Sequence, residues 1–158
     1  MDWHQIKQDF ERDGALRDIY VLETDLTDWQ RVVEYLRQTH QPLEFQVNRE
    51  PRPLPGQVRQ IFNLRPEGGA AKLALRVGGV LLHCHFFSDE EIEFDFWPED
   101  VKAQAELDAL LAFMVDLHRV TQKAVLLTPE NYKESPIFRV DVASSKVIYM
   151  PPSDGAAV

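Results

Sequence analysis

Apolar and polar positions alternate in a way that divides the chain into recognisable elements. Residues 2–12 carry Trp3, Ile6 and Phe10 at helical spacing and close at Asp13-Gly14, which predicts a first helix. Residues 17–23, RDIYVLE, hold the β-formers Ile19, Tyr20 and Val21 and predict a strand. Asp25 is placed to cap a helix over 26–39, whose buried stripe is Leu26, Trp29, Val32, Val33 and Leu36. His40 follows its last turn and reads as a solvated end residue.

Leu43, Phe45 and Val47 alternate with Glu44 and Gln46, the pattern of a half-buried strand. Pro51, Pro53 and Pro55 then interrupt any regular ladder and predict a stiff extended connection over 48–56. Residues 57–64 read two ways, Val58, Ile61 and Phe62 fitting a short helix and Val58, Phe62 and Leu64 a strand, of which the short helix is expected; Pro66 to Gly69 fit a turn. Pro98 opens a long helix expected to run to about residue 121, with Val101, Leu107, Leu110, Leu111, Met114, Leu117 and Val120 inward. Residues 123–127 return as a strand, and Thr128 to Asn131 break it, with Thr128 read as a helix cap. IFRVDV (137–142) would place Phe138, Val140 and Val142 on one face, and KVIYM (146–150) completes the set. The tail 151–158 is small and polar and is expected to be flexible.

The most informative stretch is 71–97, which reads as a three-stranded antiparallel meander. Gly78-Gly79 is a strong two-residue hairpin signal and pairs Leu75 with Leu82 and Leu73 with Cys84. For the second hairpin, a two-residue loop at Asp89-Glu90 would pair Phe86 with Glu93 and bury carboxylates. A three-residue loop, Ser88 to Glu90, pairs Phe86 with Ile92 and Cys84 with Phe94, and keeps apolar and polar residues on separate faces. The second register is therefore expected. It gives an apolar face of Leu73, Leu75, Leu82, Cys84, Phe86, Ile92, Phe94 and Phe96. The opposite face carries Lys72, Arg76, His83, His85, Glu91, Glu93 and Asp95, edged by Leu81, Phe87 and Trp97.

Together these elements predict an α+β fold over residues 1–150. An antiparallel sheet has the meander at its centre, and the helices pack on one face. The strand–helix–strand unit over 17–47 admits one parallel pairing. The chain has 158 residues, enough for one well-buried domain.

Composition narrows the function classes. Asp plus Glu total 26 against 17 Lys plus Arg, a net charge of −9. That balance disfavours nucleic acid and anionic membranes as partners and favours a basic protein. No apolar run is long enough for a membrane span, and the charged N-terminus is unlike a signal peptide, so a cytoplasmic protein is expected. The single cysteine, Cys84, is expected in the core as an inert thiol, and no cofactor motif is present.

The polar meander face is where chemistry concentrates. In the expected register His85 faces Glu93 and His83 faces Asp95, close enough for imidazole–carboxylate bonds. The first reading is a non-catalytic binding module of inhibitor or immunity type, using His83, His85, Glu91, Glu93, Asp95, Phe87 and Trp97 against a protein partner. Small acidic proteins with a sheet and no catalytic signature include many toxin-neutralising immunity proteins, although no motif here carries a family resemblance. The alternative is a metal-dependent or acid–base enzyme using His83, His85, Glu93 and Asp95. Mimicry of nucleic acid by Asp89, Glu90, Glu91, Glu93 and Asp95 is a weaker third. Leu81, Phe87 and Trp97 would also suit a homodimer contact.

Overall fold

The computed structural model describes residues 1–64 and 70–152. The expected turn at Pro66 to Gly69 and most of the expected flexible tail lie outside the described residues.

Among the described residues nine strands form one sheet: β1 (Arg17–Leu22), β2 (Glu44–Val47), β3 (Glu50–Pro51), β4 (Ala71–Val77), β5 (Val80–Ser88), β6 (Glu91–Phe96), β7 (Val125–Pro129), β8 (Phe138–Val140) and β9 (Val147–Tyr149). Their order is β3-β2-β4-β5-β6-β1-β7-β8-β9, so the meander β4-β5-β6 is flanked on both sides by added strands. Every pairing among the described residues is antiparallel. The parallel pairing expected within 17–47 does not form, because β4, β5 and β6 lie between β1 and β2.

Among the described residues there are four α-helices: α1 (Trp3–Ile6), α2 (Leu26–Thr39), α3 (Val58–Asn63) and α4 (Gln104–Thr121). The first helix is shorter than expected: after Ile6 the chain tightens into a 3-10 turn over Lys7–Phe10. Its purpose in packing is kept, since Ile6 and Phe10 are buried and Phe10 lies against Phe96 and Phe138. Helix α2 begins as expected. Asp25 accepts from the Asp28 backbone N–H, and Asp28 reaches back to the Asp25 N–H, a reciprocal capping box. Its Trp29 stacks on Phe86 of the sheet with ring centroids 4.8 Å apart.

Pro98 does not open α4. It starts a separate 3-10 turn over Pro98–Asp100, and the helix begins at Gln104. Val101 is buried from the connection rather than from the helix. Leu111 and Val120, expected inward, are only partly buried, while Phe113 takes the central place. Phe113 meets Phe94 edge-on at 5.2 Å, which seats α4 across the apolar sheet face.

The end of the chain also departs from expectation. The strand expected at 123–127 runs over Val125–Pro129, and Thr128 caps no helix; its hydroxyl donates to the Pro129 carbonyl. Strand β8 ends at Val140 and Val142 is exposed: Asp141 opens a turn, its side chain accepting from the Ser144 N–H and hydroxyl while its backbone N–H donates to the Lys146 carbonyl. His40 is half-buried rather than solvated. Its Nε2 lies 3.0 Å from the Tyr35 hydroxyl, and its ring packs edge-on to Phe113.

Candidate functional site

The meander register explains how the site is built. Gly78-Gly79 forms the expected tight turn, with Leu75 opposite Leu82 and Leu73 opposite Cys84. The second hairpin combines both loops considered from the sequence. His83, Cys84 and His85 pair with Asp95, Phe94 and Glu93, but Ser88 pairs with Glu91, so the pairing of Phe86 with Ile92 is replaced by a bulge between His85 and Ser88. The turn itself is therefore the two-residue Asp89-Glu90. The extra residue in β5 restores the register that keeps carboxylates out of the core. Trp29 fixes the bulge from the helical side, its Nε1–H donating to the Ser88 carbonyl over 3.1 Å.

Cys84 is fully buried, and burial holds its thiol pKa well above the ordinary value. It faces the core with Leu73, Leu82, Phe86, Ile92, Phe94 and Phe96. The opposite face holds two cross-strand rows. One runs Gln46, Lys72, His85, Glu93, Tyr20, and the next runs Ala74, His83, Asp95, Asp18, Thr128.

Asp95 sits between both imidazoles. Its Oδ2 is 2.6 Å from His85 Nε2, and its Oδ1 is 3.5 Å from His83 Nδ1. The His85 bond is diagonal, from one row to the next, so the residue His85 faces in register is not the one it binds. Phe87 lies parallel to the His85 ring at 4.9 Å and is 55% exposed. Partial burial and the nearby Lys72 charge lower the His83 pKa, although Asp95 opposes this.

Glu93 has a different environment. Partial burial raises its pKa to about 7, and the carboxylates of Asp18, Glu91 and Asp95 add to the effect while His85 opposes it. Its side chain forms no hydrogen bond or ion pair among the described residues.

Strand β1 supplies site residues that the sequence reading placed in a strand but not beside the meander. Asp18 is 2% exposed and accepts from the Tyr20 hydroxyl at 2.8 Å and the Asn131 backbone N–H at 2.7 Å. Its burial raises its pKa against those two bonds. Lys133, from the loop after β7, bonds Glu91 and stands 4.6 Å above the Tyr20 ring. The signal that could have found β1 is the parity of Asp18 and Tyr20 against Ile19 and Val21, a strand with one polar face.

Of the seven residues expected to form a binding site, His83, His85, Glu91, Glu93 and Asp95 share one face. Phe87 and Trp97 follow at opposite ends of it, with Trp97 48% exposed. Leu81 is half-buried. Among the described residues no group of three or more His, Cys, Asp or Glu side chains is arranged to hold a metal ion. No helix among them is long and apolar enough to cross a membrane.

No protein-family model matches the chain, and neither a curated protein nor a solved structure matches it.

Proposed function

We propose that this protein is a binding module whose polar sheet face receives a basic group from a protein partner. The observation that carries the reading is Glu93: half-buried, crowded by Asp18, Glu91 and Asp95, opposed only in part by His85, and without a hydrogen bond or ion pair among the described residues. A lysine or arginine docked over Glu93 would relieve that crowding and supply the missing donors. Phe87 and Trp97 offer aromatic surface at the two ends of the patch, the residue type that anchors interfaces. The net charge of −9 would steer a basic partner toward the protein.

The test is site-directed photocrosslinking from position 87, with exposed Glu34 on the back of α2 as the control position. The expected result is a discrete adduct from position 87 that Glu93→Gln diminishes. Equal labelling from both positions, or labelling indifferent to Glu93, overturns the reading.

A second reading is acid–base catalysis, favoured by one observation: a carboxyl titrating at about 7 beside a bonded His85–Asp95 pair. A general base of that kind would give a reaction rate that rises through neutral pH and is lost in Glu93→Gln. For the metal-dependent form of this reading, no arrangement of ligands among the described residues gives support.

A further inference from the structure

Beside the acidic half of the sheet face lies a depression of opposite character. Its volume is about 410 Å³, and Gln46, Asn48, Arg49, Ala70, Lys72 and His85 line it. These residues come from the β2-β3 turn, β4 and β5, with Gln46, Lys72 and His85 in one cross-strand row. Among the described residues no carboxylate lines it, although acidic residues outnumber basic ones 26 to 17 in the chain. Among the described residues neither Lys72 nor Arg49 makes a hydrogen bond or an ion pair. Of the two ring nitrogens of His85, Nε2 is held by Asp95 and Nδ1 has no bond among the described residues. The Asn48 side-chain oxygen accepts from the Ala70 backbone N–H, which leaves its amide N–H groups as donors.

The backbone adds an independent observation. Val47 pairs with Glu50, so Asn48 and Arg49 form a two-residue turn, and both have positive φ, 51° and 69°. Such a turn favours asparagine first and glycine second. Asn48 fits; Arg49 occupies the glycine position against its conformational preference. Strained residues of this kind concentrate where a side chain is needed for function.

We infer that this depression is an oxyanion site, binding a phosphate or carboxylate group through Arg49, Lys72 and His85. The guanidinium offers a planar fork to two oxygens, Lys72 a point charge, and His85, in its imidazolium form, an Nδ1–H donor on a ring already oriented by Asp95 and Phe87. The site does not depend on the partner reading, because Glu93 does not line it.

The test is an NMR titration of the isotope-labelled full chain with inorganic phosphate and, separately, acetate, at constant ionic strength set by chloride. Saturable shifts of the Arg49 Nε–H, the Lys72 terminal methylene and the His85 ring, sharing one dissociation constant, are expected. Saturation by phosphate alone, by acetate alone or by both supports the site and identifies the group. Lys72→Gln and Arg49→Gly should each weaken binding about tenfold, as loss of one charged contact would. Lys102→Gln, at an exposed position outside the depression, should leave binding unchanged. Because glycine suits the turn, Arg49→Gly should also raise the melting temperature, which separates lost binding from lost folding. Shifts that grow linearly with anion, or that match those at exposed Lys102, mean an adventitious ion only and overturn the inference.

Discussion

His85 faces Glu93 across the β5–β6 ladder, yet its Nε2 bonds Asp95, two residues along on the same face, at 2.6 Å. That diagonal choice divides the carboxylates into one that is paired and one that is not. Asp95 satisfies both imidazoles, and Glu93 is left to its acidic neighbours. The chemistry of the face follows from this division.

Asp95→Asn should therefore affect both histidines together. Replacing the carboxylate removes the charged half of the His85 bond, at a cost of about 1 kcal/mol for a partly exposed pair. Urea denaturation at pH 7 would measure it. Asp95 also holds the His83 pKa up against burial and Lys72, so the His83 pKa should fall further in the variant, readable by NMR titration of the ring.

Glu93→Gln should stabilise the protein, and only above acidic pH. The folded-state pKa is about 7 against an ordinary value of 4.5. Between those values the folded chain holds more proton than the unfolded chain, so stability falls as pH rises through the interval. Glutamine cannot ionise and escapes this loss. A gain of about 1 kcal/mol at pH 8 is expected after allowing for solvent screening, with no gain at pH 4. Paired thermal melts at the two pH values check the sign.

Trp29→Phe should loosen the bulge while keeping most of the ring stacking on Phe86. The Ser88 carbonyl loses its indole donor, which costs about 1–2 kcal/mol. Hydrogen exchange should rise at residues 86–91 and stay unchanged in β4, since its pairing with β5 does not involve the bulge. Uniformly faster exchange throughout the sheet would show that the indole supports the whole core instead.

Gly78→Ala should be costlier than a surface turn substitution usually is. Gly78 has φ of 58°, and an added Cβ would lie 2.9 Å from the Ala109 Cβ on α4. The backbone penalty and the clash together predict a loss of about 2–3 kcal/mol. The double variant Gly78→Ala/Ala109→Gly should recover only part of it, leaving the φ penalty and adding a helix glycine. Chemical denaturation of these two variants and of Ala109→Gly alone separates the two contributions.

Much of the fold was legible because local chemistry agreed with the final packing. The Asp25 cap, the α2 stripe, the Gly78-Gly79 turn and the segregation of Leu82, Cys84 and Phe94 from His83, His85 and Asp95 all follow from residues near one another in sequence. The site was legible only in its meander half. Asp18, Tyr20, Asn131 and Lys133 reach the face because β1 lies beside β6, a contact between segments some seventy residues apart that no periodicity encodes. His40 and Phe113 were misjudged for a related reason: their burial depends on how α2 and α4 meet. Pro98 favoured a helix start locally, but it opens a 3-10 turn and the chain takes extended backbone at Val101 before α4 begins.

The bulge between His85 and Ser88 also sets how the chain tolerates changes of length. A one-residue deletion there would convert the hairpin to an unbulged ladder and leave His83, Cys84 and His85 in their present pairing with β6. The same deletion between Val80 and Leu82 would invert the strand, sending the imidazoles inward and Cys84 to the surface. The Phe87 end of the patch can therefore vary in length between related sequences, while the histidine pair cannot.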